Sequence, residues 1–177
     1  MKISIFGGSN VDQNEQLYNQ AKQLGKTLAE KGHIVITGGY IGIMEAVSRG
    51  ANDAGGHVIG ITCDEIEKWR PIGANPWVKE EIRVDLLIER IDRIIKECDV
   101  AIALPGGVGT LAEIMLAWNH AFITSIPLRK LVVVGKAWKE LIQLFYSQQA
   151  QFIPDQIKEY LQFYETIDEL IQDIESI

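Results

Sequence analysis

The chain has 177 residues, 47% of them hydrophobic and 23% charged, with a formal charge of −7 at pH 7. That length and mix suit one globular domain over residues 1–177 and exclude a disordered tail protein. With 17 Lys+Arg against 24 Asp+Glu, no basic run and no apolar stretch of roughly 20 residues, neither electrostatic nucleic-acid binding nor a membrane span is expected.

Elements follow one another along the chain as short apolar runs and longer helical patterns. Ile3–Phe6 reads as a strand running into Gly7-Gly8, with no long apolar run of a signal peptide, so a cytoplasmic protein is the expectation. Glu15–Lys31 has apolar residues at Leu17, Ala21, Leu24 and Leu28, a helical period, and stops at Gly32. Ile34–Thr37 is a second strand ending in Gly38-Gly39, Gly42–Ala54 a second helix, and Val58–Ile61 a third strand. Thr62–Lys79 is one long irregular stretch holding Trp69, Arg70, Pro71, Asn75, Pro76 and Trp77. It reads equally as a lid or binding loop and as a surface cover or oligomer contact. Asp85–Glu97 is a helix, Val100–Leu104 a strand, Thr110–Phe122 a helix, Leu131–Val134 a strand and Trp138–Gln149 a helix, with one or two short helices beyond.

The strands are continuous apolar runs, as expected where both faces of a sheet are covered. Strand–helix alternation then predicts an α/β fold: a single Rossmann-like, doubly wound parallel sheet with helices on both faces. Ligands in such sheets bind beyond the carboxyl ends of the strands. Three glycine-rich turns fall at such ends: Gly7-Gly8-Ser9, Gly38-Gly39 and Gly106-Gly107.

The first turn lacks the third glycine of a G-x-G-x-x-G dinucleotide fingerprint, which leaves a smaller nucleotide or a phosphate. The strongest local signal is Pro105-Gly106-Gly107-Val108-Gly109-Thr110 leading to Glu113. Its glycines let the backbone approach a ligand, and the helix that follows offers its N–H groups and dipole to an anion. No Gly-Lys-[Ser/Thr] follows, so a monophosphate fits better than a triphosphate. Glu113 has two readings. Thr110-x-x-Glu113 has the spacing of a capping box, with Thr110 at the N-cap. It is also a carboxylate one turn into a phosphate-binding helix. Arg90 flanks the apolar stripe Leu87, Ile91, Ile94, Ile95, Cys98, either as a snorkelling side chain or as an anion ligand. His33, His57 and His120 have no ligand-spaced partners, so no metal is expected. Cys63 and Cys98 read as reduced, buried hydrophobes, and Ile114, Met115 and Trp118 as core.

Pro105–Glu113 matches the P-G-G-x-G-T-x-x-E signature of the Lonely Guy family, once mislabelled as lysine decarboxylases. Thr37-Gly38-Gly39-Tyr40-Ile41-Gly42-Ile43-Met44 resembles its T-G-G-x-x-G-[LI]-M segment, and the likeness extends over about Met1 to Gly135. The resemblance implies a Rossmann-like fold, a homodimer or higher homo-oligomer, and a nucleoside 5′-monophosphate as ligand. It implies an N-glycosidase that releases free base and ribose 5-phosphate from cytokinin riboside monophosphates or AMP, without a cofactor. Glu113 and Arg90 map onto the catalytic pair, and Gly8, Ser9, Gly39, Met44, Gly106, Gly107, Gly109 and Thr110 onto the nucleotide-binding turns. The chain departs from the hydrolases at Glu45, Leu87, Ile91 and Val108. Met44-Glu45-Ala46 looks closer to a branch that includes a molybdenum-cofactor carrier, which keeps open a non-catalytic carrier or sensor of a phosphorylated ligand.

Overall fold

The computed structural model describes residues 1–123 and 128–177. Seven parallel strands form one sheet in the order β4-β3-β2-β1-β5-β6-β7. They are β1 (Lys2–Phe6), β2 (Ile34–Thr37), β3 (Val58–Cys63), β4 (Glu80–Val84), β5 (Val100–Ala103), β6 (Lys130–Val134) and β7 (Leu161–Tyr164). The helices are α1 (Gln16–Glu30), α2 (Ile43–Asp53), α3 (Asp64–Trp69), α4 (Leu87–Lys96), α5 (Val108–Phe122), α6 (Lys136–Gln148) and α7 (Ile167–Gln172).

Alternate residues along the strands feed opposite faces, as the pleat requires. Ile3 and Ile5 pack with Leu24 and Leu28 of α1, Val47 of α2 and Leu170 of α7. Phe6 and Ile36 pack with Ile94 and Ile95 of α4, Ile114 and Trp118 of α5, and Trp138 of α6. The doubly wound arrangement expected from the apolar runs is present. Among the described residues, no helix is long and apolar enough to cross a membrane.

Three parts of the sequence reading are corrected. Thr62–Lys79 is not irregular throughout: β3 runs on to Cys63, and α3 follows at once. Two strands, β4 and β7, carry no strand signal in the sequence, because they are the sheet's edges and lack a continuous apolar run. Glu80-Glu81-Ile82-Arg83-Val84 carries three charges, the usual guard on an edge strand. The third correction is two residues long. Helix α5 starts at Val108 rather than Thr110, with Gly107 as its extended N-cap.

Sequential strands grow outward from β1 in one direction through β4 and in the other from β5 through β7. The order therefore reverses between β1 and β5. Ile3 lies level with both Val35 of β2 and Val100 of β5. Connections from the carboxyl ends of β1 and β5 turn to opposite faces, which opens a crevice there.

Candidate active site

The glycine turns are tied together at that crevice. The Gly8 N–H donates to the Pro105 carbonyl at 3.0 Å, and the Ile43 N–H donates to the Gly8 carbonyl at 2.9 Å. A Cβ on Gly106 would stand 2.2 Å from Thr110 Oγ1 and 2.9 Å from the Gly8 nitrogen, so no larger residue fits. The turn after β1, the start of α2 and the start of α5 are thereby fixed around one cavity of about 330 Å³.

Its wall brings together Gly8, Ser9, Met44, Arg90, Gly107, Gly109, Thr110 and Glu113. Gly39 and Gly106 are not among the residues that line it. Gly39 has φ +78 and its carbonyl accepts from the Asn75 N–H (2.7 Å) and Nδ2 (3.0 Å). Val108, Gly109 and Thr110 are the first three residues of a 15-residue helix, so their N–H groups have no carbonyl one turn back. They present donors and a positive dipole end to the cavity.

Arg90 does not snorkel. Only 5% exposed, it donates from Nε to the Ile61 carbonyl at 2.7 Å and from Nη2 to the Gly38 carbonyl at 2.9 Å. Its guanidinium carbon lies 5.3 Å from the centre of the Tyr40 ring. A Cβ on Gly38 would fall 1.7 Å from Nη2, so glycine there makes room for the guanidinium. The remaining nitrogen, Nη1, faces Glu113 Oε1 at 3.9 Å. At that distance the two are a charge pair rather than a hydrogen bond.

Glu113 does not cap its helix. Because α5 starts at Val108, Thr110 is the third helical residue and Glu113 lies a turn further on. Its carboxylate, 9% exposed, looks into the cavity. Burial, only partly opposed by the Arg90 charge, raises its pKa to about 7. A carboxyl group that shares its proton near neutrality beside a phosphate-sized donor cluster can act on a positive charge forming in the ligand or take a proton from water.

The cavity also has Tyr40, Ile66 and Leu87, which spacing did not single out as ligand contacts, and Trp69 and Arg70 from the Thr62–Lys79 stretch that reads as a binding loop or a surface cover. Leu87 is 41% exposed and belongs to the cavity rather than to the buried stripe of α4. The usable signal for the others was the Trp69-Arg70 pair just past the carboxyl end of a strand. Cys63 and Cys98 are free and buried, and burial raises the Cys98 thiol to about 11. Ile114 and Trp118 are core residues, as the helical spacing indicated. A larger cavity of about 510 Å³ opens beside Pro105 and Gly135. Its charged lining residues are Glu15 and Glu165, which suits an anionic ligand poorly.

The family model of the SLOG cluster4 family matches residues 1–160. Cytokinin riboside 5′-monophosphate phosphoribohydrolase LOG of rice, Oryza sativa subsp. japonica, is 35% identical over 137 residues, 76% of this chain and 56% of the rice protein. A second rice protein, a probable enzyme of the same name, is 34% identical over 76% of this chain and 55% of its own length. The matched region thus spans little more than half of these relatives. In structure, the molybdenum cofactor binding protein of the phototrophic bacterium Rippkaea orientalis superposes with a TM-score of 0.75 at 24% identity. It covers 99% of this chain and 95% of that one, a likeness of fold.

Proposed function

The chain belongs to the SLOG cluster4 family, and on that premise we propose that it binds a nucleoside 5′-monophosphate and hydrolyses the N-glycosidic bond. The observation that carries this reading is the buried Arg90–Glu113 pair, 3.9 Å apart, on the wall of the cavity into which α5 points its free N–H groups. The phosphate sits on the N–H groups of Val108, Gly109 and Thr110. The turn at Gly8 and Ser9 closes the other side.

With the phosphate held there, the ribose reaches toward Glu113. As the C1′–N bond breaks, the electron pair leaves with the base and positive charge builds on the sugar. Ionised Glu113 stabilises that charge and takes a proton from the attacking water, and that proton ends on the departing base, which restores the carboxylate. Arg90 keeps a fraction of Glu113 ionised and holds it in place through its anchors on Gly38 and Ile61. The products are free base and ribose 5-phosphate. Bulk from an exposed Val108 and Leu87 at the mouth suits a homodimeric contact near the site.

A second reading is a carrier or sensor that holds a phosphorylated ligand, such as a nucleotide or a molybdenum cofactor, without chemistry. Ile91 favours it: the side chain next to Arg90 packs in the core and puts no second cation at the site. Glu45 points the same way, since it departs from the resembled hydrolases at the residue after Met44; Tyr18 and Gln13 hold its carboxylate at 2.8 and 2.6 Å.

Chromatography of products separates the two. Purified protein is incubated with AMP, other nucleoside monophosphates and isopentenyladenosine monophosphate, with Glu113→Gln alongside. Free base from the wild type and none from the variant is the expected result. Binding without release of base from any of them would favour the carrier.

A further inference from the structure

The cavity is lined by an arginine whose buried Nε has no hydrogen-bond partner among the described residues. Helix α3 is rich in acid, yet each of its carboxylates is engaged elsewhere. Asp64 and Glu67 are held by Arg83 at 2.6 and 2.8 Å. Glu65 accepts the Leu87 N–H at 2.7 Å. Arg70, the residue that ends α3, anchors its backbone N–H on the Ile66 carbonyl at 2.7 Å. Its side-chain Nε is buried with no hydrogen-bond partner among the described residues. The guanidinium lies 5.6 Å from the centre of the Trp69 ring and lines the same cavity as Gly107, Gly109 and Glu113.

A buried donor on a charged group is costly to leave unpaired. Arg90 cannot take a phosphate without giving up its carbonyl anchors or its pairing with Glu113. Among the described residues lining the cavity, Arg70 is therefore the cation left to meet an anion. A guanidinium has the planar fork that matches two phosphate oxygens.

We propose that Arg70 grips the 5′-phosphate of the ligand together with the N–H groups of α5, and so sets the preference for nucleotides over nucleosides. This rests on the monophosphate reading above. It adds a contact from α3, outside both glycine-rich motifs. The fixed position of α3 makes the contact feasible: Arg83 bridges it to β4, and the Tyr40 hydroxyl accepts the Cys63 N–H at 2.8 Å where the helix begins.

Calorimetric titration tests it with AMP, ribose 5-phosphate and adenosine as probes, on the wild type, Arg70→Gln and Arg70→Lys. The expected result is a loss of about 10- to 100-fold in affinity for AMP and ribose 5-phosphate in Arg70→Gln, the scale of one charge-assisted contact. Adenosine affinity is expected to stay within about twofold, and Arg70→Lys to recover part of the AMP loss. Unchanged AMP affinity in Arg70→Gln overturns the proposal, as does an equal loss for adenosine, which a merely structural arginine would give. Titration needs no turnover. A wild type that binds AMP and releases no base defeats the hydrolase reading and leaves the Arg70 result standing. A wild type that binds no phosphorylated probe defeats both.

Discussion

Thr110-x-x-Glu113 and Thr166-x-x-Glu169 share one spacing and do opposite things. At Thr166 the capping box forms. The hydroxyl accepts the Glu169 N–H at 3.2 Å, and Glu169 Oε2 accepts the Thr166 N–H at 3.4 Å, so α7 starts where the motif says. At Thr110 the helix has already begun. Gly107 takes the N-cap position with extended backbone, Thr110 becomes the third helical residue, and Glu113 rotates off the helix start into the cavity beside Arg90. The difference is made by the glycines before the threonine. They let the chain enter the helix early, against the turn at Gly8, and leave a carboxylate buried with its pKa raised to about 7. The same residue pair is a structural device where its backbone donors need it and a chemical one where they do not.

The sharpest way to break that contrast is to neutralise each glutamate. Glu113→Gln is expected to lower kcat by about 10³-fold or more while AMP binding changes by no more than about threefold, since the change removes a charge that matters in the transition state. Glu169→Gln is expected to leave kcat unchanged. Steady-state kinetics with a parallel binding titration reads both, and equal activity in the two variants would abolish the distinction. Next in size is Gly38→Ala. The added methyl falls 1.7 Å from Arg90 Nη2, so the guanidinium must leave its carbonyl anchor and its place beside Glu113. Activity is expected to fall about 100-fold, as for a misplaced catalytic group. Near-wild-type turnover would show that the arginine's position does not matter.

Acidity sharpens the contrast further. If Glu113 works ionised, kcat/KM rises with pH, about tenfold per unit, and levels off above an apparent pKa near 7. A profile that falls through that range would make Glu113 a proton donor instead. The same shift has a stability consequence. The folded state holds the proton more tightly than the unfolded chain, so stability is greatest below the ordinary carboxylate pKa and declines as pH rises toward 7. The decline is on the order of 3 kcal/mol, from the shift between 4.5 and about 7. Denaturant melts from pH 4 to pH 8 should show this slope in the wild type and lack it in Glu113→Gln.

How far the sequence could be read follows from these elements. The interior strands β1, β2, β3, β5 and β6 were legible because burial on both faces leaves a plain apolar run. Charged β4 was not, because an edge strand hides its period under guarding side chains. The glycine turns and the anion-binding helix were legible from composition. The burial of Arg90 was not, because its acceptors, the carbonyls of Ile61 and Gly38, lie 29 and 52 residues away along the chain. Spacing on α4 placed it at a flank, and only the sheet brings those carbonyls to it. The resemblance named Arg90 and Glu113 without giving a physical reason. That reason is a helix start shifted by two residues and a glycine that clears room for a guanidinium.

The smallest effect completes the contrast from the threonine side. Thr166 caps a helix of only six residues, whose Ile167 and Leu170 reach the core under α1. Removing its hydroxyl leaves the Glu169 N–H without its acceptor, so Thr166→Ala should cost about 1 kcal/mol. The denaturation midpoint should drop at constant m-value, with kcat/KM held within about twofold. Thr110→Ala should do the reverse. At the third helical position its hydroxyl caps nothing, and it packs at the Gly106 turn on the cavity wall. Losing a hydroxyl that donates to a phosphate should raise KM for AMP about tenfold, with the midpoint moving less than in Thr166→Ala. If Thr110→Ala instead melted early and kept its KM, Thr110 would be a cap after all, and the early start of α5 would no longer explain why Glu113 faces Arg90.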